Sequence, residues 1–414
     1  MDNNQETASR LHAFFRSPRG SRFGMFLAQV FYWAGMAAVM PFLSVYYESV
    51  HLKGGQIGQL RSIPLFVSLI SSVGLAFLSD RLKQHKRVLL VCILGLMAAL
   101  SVIPQLSTFT ALVPIILMYS IFNTPIIPIL DQMILSALDD PGNYGRIRVG
   151  GSIGWGIMVI ATGYLIDSLK VGLSFIFYID ILLLSFLFIL ILFLPHEETS
   201  GASNRESVTL NKLIGMLKQP GFLIFLLIII IWGIGQSAIG GFLFLHIKHL
   251  GGSASLMGIS MSVSLIGEII VFLFSSRIQH RIGTMPMVLL AFVVLFTWLI
   301  GLSLIRNPNV IPFFQIFGGS GFALLHSAGV AYMNKRAPEG LGTTAQAIRW
   351  GFFTGFGMGT GMIINGLMYE NVGTVELFRN MAFVTLGGFL FALLVFINQR
   401  KSGKLPVSGE SPSN

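Results

Sequence analysis

Apolar runs of about 20 residues recur along the 414-residue chain and constrain its fold more than any other feature. A run of that length crosses the hydrocarbon core of a bilayer as a helix, because lipid offers the backbone groups no other hydrogen-bond partner. The runs lie at 23–47, 56–79, 88–106, 109–137, 146–167, 172–194, 221–245, 255–276, 285–305, 310–333, 343–369 and 377–397. The sequence therefore predicts an all-α membrane protein with twelve transmembrane helices.

The longest polar stretch, 195–220, divides these runs into two sets of six. The sets resemble each other, because Gly154–Asp167 aligns without a gap with Gly357–Glu370 and the same offset places Arg146 on Arg349. Parallel repeats of this kind are typical of transporters built from two similar helix bundles. The predicted parts are a cytoplasmic N-terminal segment (1–22), a six-helix bundle (23–194), a central cytoplasmic loop (195–220), a second six-helix bundle (221–397) and a cytoplasmic tail (398–414).

The charge of the chain indicates membrane orientation and not nucleic-acid binding. Hydrophobic residues make up 54% of the chain and charged residues only 11%, while the formal net charge is +10. If the N-terminus is cytoplasmic, most of the 27 Lys and Arg residues face the cytoplasm, as the positive-inside rule requires. We expect a multi-pass protein of a bacterial cytoplasmic membrane with both termini inside. The single cysteine, Cys92, excludes a disulfide framework, and we predict no metal site.

One candidate site lies in the fifth run, where an arginine enters an apolar sequence. In a helix, Arg148, Ser152 and Trp155 share one face and offer a charge, a hydroxyl and an indole to a polar ligand. A charge in the membrane costs ~3 kcal/mol or more, which makes Arg148 a functional candidate. Asp131 in the preceding run is its natural partner. The alternative is that Arg148 only extends to the cytoplasmic headgroups.

Other polar residues in the apolar runs are further candidates. Glu268 shares a helix face with Ser260 and Ser264 and has no Lys or Arg nearby in its own run, which suits a proton carrier. His326 could titrate in a cavity or could be a packing histidine. Further candidates for substrate hydrogen bonds or for lining the path are Asn123, Gln236 and Gln315, and in the first run Gln29, Trp33 and Met36. Tyr32 and Trp33 could instead belong to an interfacial aromatic belt.

Twelve runs, a central loop and a basic loop after the second run resemble the major facilitator superfamily. That loop, 74–88, resembles the superfamily's signature at Asp80, Arg81, Lys86 and Arg87. The resemblance implies that Asp80, Arg81 and Arg87 bias one conformational state. The sequence YGRIRVGGSIGWG, which begins at Tyr144, is similar to the fifth helix of the lactose-permease-like oligosaccharide/proton symporters and of the related phenylpropionate-permease and nucleoside-symporter groups.

This narrower resemblance implies roles for four residues. Asp131 lies close to the acidic residue that binds substrate, and Arg148 falls on the arginine that binds sugar hydroxyls. Trp155 falls on the tryptophan that stacks on the apolar face of a sugar ring, and Glu268 on a glutamate that contributes to binding and coupling. The resemblance thus implies a substrate site and a proton site in one chain.

The chain departs from the sugar symporters at their other buried charges. Gly233, Gln236, Gln315 and Thr354 replace the charge pairs, and both members of each pair are absent together, so no buried charge is left uncompensated. The histidine and glutamate of the family's proton site and an arginine near it are also replaced, at Gly318, Gly321 and Trp298. Proton coupling must therefore use Glu268, Asp131 or His326.

The sequence predicts a secondary transporter that works by alternating access, not an enzyme. We expect proton-coupled uptake of a small polar solute such as a sugar or glycoside, with the proton gradient as driving force and no cofactor. The alternatives are a nucleoside or aromatic-acid symporter, then an uncoupled facilitator or proton/drug antiporter, then a membrane sensor that transports nothing. The expected partners are the solute, H⁺ and the lipid bilayer, with no nucleic acid, and the chain is expected to act as a monomer.

Overall fold

The computed structural model of the chain describes residues 17–82, 85–136, 138, 144–194, 215, 216, 218–338 and 341–401. The chain divides into two compact units, Met1–Ser203 (unit 1) and Asn204–Asn414 (unit 2), and each is treated separately below. Most of the predicted N-terminal segment, central loop and tail lies outside the described residues. Within the described ranges, all regular secondary structure is helical.

Unit 1 contains eight described helices, and in two cases a pair of consecutive helices corresponds to one predicted span. They are α1 (Pro18–Val39), α2 (Leu43–Ser49), α3 (Gly54–Leu82), α4 (His85–Val102), α5 (Phe109–Asn123), α6 (Ile126–Ser136), α7 (Tyr144–Leu169) and α8 (Phe175–Phe193), with a 3₁₀ turn at Ile103–Gln105. The first and fourth predicted runs are each divided in two. Pro41 and Pro125 lie at these breaks. Proline has no amide hydrogen to donate to the preceding turn, and it therefore interrupts the helix.

Unit 2 contains six described α-helices and one π-helix. They are α9 (Pro220–His249), α10 (Ala254–Ile282), α11 (Thr284–Leu304), α12 (Ile311–Arg336), α13 (Gly342–Gly351), the π-helix Phe352–Gly359 and α14 (Thr360–Lys401), with a 3₁₀ turn at Pro308–Val310. Gly373 lies inside α14 with φ of +76°, so the backbone leaves helical geometry there.

Ten helical stretches among the described residues are long and apolar enough to cross a membrane. The longest runs from Thr344 to Lys401 and includes the break at Gly373. The chain is therefore a multi-pass membrane protein that is helical throughout its described secondary structure, and the count of twelve spans stays a prediction.

Glycines bring helices close together in both units. In unit 1, a Cβ on Gly150 or Gly154 would meet the backbone carbonyls of Phe26 and Val30, so α7 packs directly on the backbone of α1. In unit 2, a Cβ on Gly357 would lie 3.1 Å from the carbonyl oxygen of Ile230 in α9. Close backbone approach at small residues is a common way for membrane helices to associate.

Candidate functional site

The centre of the candidate site in unit 1 is a contact between α1 and α7. The guanidinium carbon of Arg148 lies 4.5 Å from the ring centroid of Trp33, which is a cation–π contact. Gly151, one turn after Arg148, gives these side chains room, because a Cβ there would lie 2.5 Å from Cδ1 of Trp33. The indole N–H of Trp33 donates to Oε1 of Gln29 at 3.0 Å. Arg148 therefore lies on an aromatic face and is not simply extended into solvent.

Asp131 of α6 joins the same cluster through neutral residues. The side-chain amide of Gln29 donates to Oδ1 of Asp131 at 3.3 Å, and the hydroxyl of Tyr144 interacts electrostatically with both Asp131 and Arg148. No direct ion pair between Asp131 and Arg148 is found among the described contacts of these two residues. Tyr144 and Gln29 therefore hold the two charges near each other while leaving both partly available to a ligand.

The other residues predicted for this site have different surroundings. Trp155 lies beside Trp33, with ring centroids 6.0 Å apart and ring planes at 63°. Asn123 accepts a hydrogen bond from the hydroxyl of Tyr32 at 2.9 Å. Ser152 is exposed on unit 1 and has no described contact with the cluster. The structure thus brings Asp131, Arg148 and Trp155 together around Trp33 and leaves Ser152 outside that set.

The residues predicted to gate the transporter lie around the connection between α3 and α4. Asp80 and Arg81 fall in the last turn of α3, but their side chains lie outside the described part of the structure. Arg87 is exposed. The neighbouring Lys86 donates to the carbonyls of Leu192 and Leu194 at 2.9 and 2.6 Å, at the C-terminus of α8, where a cation is favoured.

In unit 2, Glu268 is a half-buried carboxyl at the contact between α10 and α12. A Cβ on Gly319 of α12 would lie 2.7 Å from the backbone nitrogen of Glu268, so the two helices are very close here. Ser260 and Ser264 lie on the same face, but their hydroxyls donate to carbonyls of their own helix. Among the described contacts, the Glu268 carboxyl has no hydrogen bond and no ion pair.

His326 of α12 lies among aromatic rings. Its ring centroid is 5.9 Å from that of Phe272, 5.6 Å from Phe322 and 5.8 Å from Trp350. Its Nδ1 is buried without a hydrogen-bond partner. Trp350 also contacts Phe353 of the π-helix, 5.4 Å away. His326 therefore borders an aromatic cluster (Phe272, Phe322, Trp350 and Phe353) and not a polar one.

The remaining polar candidates of unit 2 have incomplete hydrogen bonding. Gln315 is 1% exposed and its amide nitrogen has no partner, while the amide oxygen of Gln236 is buried and also unpartnered. Trp298 and Gly318, which replace charged residues of the sugar symporters, lie against each other, because a Cβ on Gly318 would collide with the indole of Trp298. At these positions the chain has an aromatic contact in place of the charges that the resemblance would suggest.

This arrangement of membrane helices has clear relatives among known proteins. The sequence profile of the MFS_1 like family matches residues 25–380, which is most of the chain. The chain belongs to the MFS_1 like family. It is therefore a membrane transporter of the major facilitator superfamily and not an enzyme.

Three individual relatives match over most of their length. The transporter is 25% identical over 369 residues to the uncharacterized transporter YwbF of Bacillus subtilis (87% of this chain, 90% of the relative). It is 26% identical over 400 residues to the maltose permease of Geobacillus stearothermophilus (93% and 97%). It is 24% identical over 392 residues to the multidrug resistance protein MdtG of Escherichia coli (90% and 92%).

Solved structures share the fold. The crystal structure of the nucleoside transporter NupG superposes with a TM-score of 0.80 at 18% identity, covering 91% of this chain and 98% of NupG. At this identity the likeness concerns the fold alone.

Sequence reasoning missed two residues. Tyr144 begins α7 and interacts with both charges of the cluster, but a tyrosine at the start of an apolar run resembles an ordinary interfacial residue. Asp180 lies inside α8 and is 2% exposed. The signal for Asp180 was available, because a lone acid in the apolar run 172–194 is unusual in a membrane helix.

Proposed function

We propose that this protein is a secondary transporter that moves a small hydroxyl-bearing solute, such as a sugar or glycoside, by alternating access in symport with protons. The observation that carries the proposal is the cluster of unit 1, where Arg148 lies over the indole ring of Trp33 and Trp155 packs beside that ring. Asp131 joins this cluster through Gln29, which is bonded to both Asp131 and Trp33. A carboxylate and a guanidinium can accept from and donate to hydroxyl groups. An indole face can cover the apolar side of a ring-shaped solute.

The relatives support a polar solute without identifying it. The maltose permease of Geobacillus stearothermophilus is named for a sugar, and the fold is shared with a nucleoside transporter. Sugars and nucleosides both combine a hydroxylated edge with an apolar face, which is the combination that the cluster of unit 1 would bind. We place sugars and glycosides first, and nucleosides and aromatic acids second.

Proton coupling is assigned first to Glu268, with Asp131 and His326 as further candidates. A carboxyl in a membrane protein that lacks a cationic partner is costly when ionised, and a proton removes that cost. Coupling requires that proton binding changes the preference of the transporter between its two states. Glu268 suits this role because its helix crosses α12 at backbone contact, so a change of charge there bears directly on helix packing.

Uptake into right-side-out membrane vesicles tests the substrate site. A labelled panel of sugars, nucleosides and aromatic acids is offered with and without an inward proton gradient. We expect one class to accumulate only with the gradient, and Arg148→Ala to abolish its uptake. Arg146→Ala is the matched control, because Arg146 lies one half-turn earlier in α7 and is exposed. Equal loss in both variants would contradict a specific role for Arg148.

A second experiment separates coupling from binding. Glu268→Gln removes the ionisable group and keeps its shape, so exchange of labelled for unlabelled solute across the membrane is expected to continue while gradient-driven accumulation stops. Glu376→Gln is the control, because Glu376 is paired with Arg379 at the surface of the same unit. If wild-type protein only equilibrates the solute, the protein is an uncoupled facilitator and the symport proposal is wrong.

A proton/drug antiporter is the second candidate function. The relative MdtG is named a multidrug resistance protein, and the aromatic cluster beside His326 offers flat apolar surfaces to a hydrophobic compound. Accumulation of fluorescent dyes inside inverted vesicles, in which export from the cell becomes uptake, discriminates the two functions. Dye movement driven by the proton gradient, without uptake of any polar solute, would favour the antiporter.

A further inference from the structure

The strongest unexplained group in unit 1 is the buried carboxyl of Asp180. It lies in α8, is 2% exposed, and faces Gly35 of α1 so closely that a Cβ on Gly35 would collide with Oδ1. Its Oδ2 has no hydrogen-bond partner. The carboxyl thus lies in the contact between α1 and α8, apart from the cluster around Arg148.

No cation compensates Asp180 among the described residues. The groups that interact with it electrostatically are the hydroxyls of Tyr32 in α1 and Tyr119 in α5. Both hydroxyls donate elsewhere, Tyr32 to Asn123 at 2.9 Å and Tyr119 to the sulfur of Met36 at 3.5 Å. A buried carboxylate without a partner is strongly unfavourable, and such a group takes up a proton instead.

The cations of the neighbouring helices are distant or engaged. Arg148 interacts electrostatically with Tyr32, and Arg61 of α3 with Tyr119. Both arginines have other contacts, because Arg148 lies over Trp33 and Arg61 donates to the carbonyl of Met40 at 2.6 Å. Arg19 and Arg22 lie in the first turns of α1, and Lys86 binds the end of α8, about 18 Å or more along the helices from this level. The remaining titratable residues of α8 and of the helices around it are Tyr178 in α8, His85, Arg87 and Cys92 in α4, and Tyr46, Tyr47 and Glu48 in α2.

Unit 2 has the same contact with a neutral residue in place of the acid. Gly154 packs on the carbonyl of Val30, and the matched Gly357 packs on the carbonyl of Ile230. Gly35 lies five residues after Val30, and Gly235 lies five residues after Ile230, so the two glycines are at equivalent positions. A Cβ on Gly235 would lie 2.6 Å from the hydroxyl oxygen of Thr385, and that hydroxyl donates to the carbonyl of Met381 at 2.8 Å. A small neutral side chain is therefore sufficient to pack this contact, and packing alone does not explain Asp180.

We propose that Asp180 is a proton-binding site of the transport cycle. Its carboxylate binds one proton, forming the neutral acid, when α1 and α8 are packed as in this structure. It releases that proton when the two helices separate and water reaches the carboxylate. Because Asp180 binds the proton more tightly in the packed state than in the open state, proton binding shifts the equilibrium toward the packed state. This inference rests on the proposed proton coupling and adds a site in unit 1 to Glu268 in unit 2.

Infrared spectroscopy of the purified full-length protein tests proton binding without any solute. The carbonyl stretch of a protonated carboxylic acid is compared in wild type, Asp180→Asn and Asp180→Thr, which carries the residue that unit 2 uses. We expect both variants to lose a protonated-acid band that wild type retains at neutral pH. Glu376→Gln, at the surface, is expected to leave that band in place. An unchanged band in both Asp180 variants would overturn the proposal.

Transport assays test release of the proton. In Asp180→Thr we expect solute exchange to continue while proton-driven accumulation is lost. Unchanged accumulation in a folded Asp180→Thr protein would overturn the release step, and thermal unfolding of the same sample verifies folding. If no member of the solute panel accumulates even in wild type, the proposed function fails, whereas the infrared result still decides whether Asp180 holds a proton.

Discussion

In each unit, a glycine of a later helical segment packs on the backbone of the unit's first helix. The side chains around this crossing differ between the two units. In unit 1, Gly154 packs on the backbone of Val30, and Arg148 and Trp33 meet beside it. In unit 2, Gly357 packs on the backbone of Ile230, and the neighbouring rings are those of Trp232 and Phe353, 5.8 Å apart. The shared glycines set the distance between backbones, and the side chains around them differ.

This difference teaches how one helical frame can hold two kinds of site. Unit 1 places a carboxylate and a guanidinium in one cluster of hydrogen bonds and aromatic contacts, which suits recognition of a polar solute. The titratable groups that lack a described polar partner, Glu268 and His326 in unit 2 and Asp180 outside the cluster of unit 1, suit a change of protonation instead. We infer that the repeated frame supplies the geometry of movement, whereas recognition and coupling depend on residues that the repeat does not share.

The largest expected effect concerns the crossings themselves. Gly154→Ala would place a methyl group against the carbonyl oxygen of Val30 and 3.1 Å from its carbonyl carbon, where rigid backbone cannot yield. Gly357→Ala has its nearest contact at 3.1 Å, which a small shift can relieve. We expect Gly154→Ala to destabilise the protein by about 3 kcal/mol, the upper end of the usual range for overpacked sites, and Gly357→Ala by clearly less.

Thermal unfolding in detergent measures both variants. Gly145→Ala is the control for the helix-forming preference of alanine, because nothing lies within 4 Å of a Cβ there. Equal losses in the two crossing variants would contradict the view that the unit 1 crossing is the tighter one.

The next effect separates two arginines that the internal repeat aligns. Arg349 is 6% exposed, and its Nε donates to Oε1 of Gln346 at 2.9 Å, whereas Arg146 is exposed. Removing a buried charge-assisted hydrogen bond costs about 1.5–3 kcal/mol, and exposed substitutions stay within about 0.5 kcal/mol. We expect Arg349→Ala to lower the unfolding temperature well below that of Arg146→Ala. Similar temperatures would show that the buried bond contributes nothing.

These two arginines also show how far sequence reasoning reaches. The offset of the repeat correctly pairs Gly154 with Gly357 at equivalent crossings, because glycine spacing records where backbones must approach. The same offset pairs Arg146 with Arg349, whose burial differs, because burial depends on neighbours from other helices that no single run encodes. Membrane class, helical fold and family were therefore predictable, while the environment of each polar residue was not.

In the candidate site, too, the sequence predicted which residues matter but not the surroundings of each residue. Arg148, Trp155 and Asp131 were found from their position in apolar runs, and the structure brings them to one cluster. Ser152 was chosen from helical spacing and lies outside that cluster, because spacing fixes a face but not what packs against it. The contacts of Tyr144 join residues from two helices and have no trace in spacing.

A smaller effect compares two tryptophans of the first helices. The indole N–H of Trp33 is bonded to Gln29, while that of Trp232 is buried without a partner. Trp33→Phe removes a hydrogen bond and weakens the cation–π contact with Arg148, so we expect about tenfold weaker solute binding. Trp232→Phe removes an unpartnered donor and is expected to leave binding unchanged. Apparent affinities from the uptake assay measure both, and equal affinities would contradict a binding role confined to unit 1.

The smallest effect is expected at two glycines of α7 that differ in their surroundings. A Cβ on Gly151 would meet Arg148 and lie 2.5 Å from Cδ1 of Trp33, so Gly151→Ala must displace one of these side chains. Alanine favours the helix by up to about 1 kcal/mol, which offsets part of that strain in the unfolding temperature. We therefore expect Gly151→Ala to weaken solute binding a few-fold with little change in stability, and Gly145→Ala to leave binding unchanged. A loss of stability without a loss of affinity would show that Gly151 serves packing of α7 on α1 and not the position of Arg148 on Trp33.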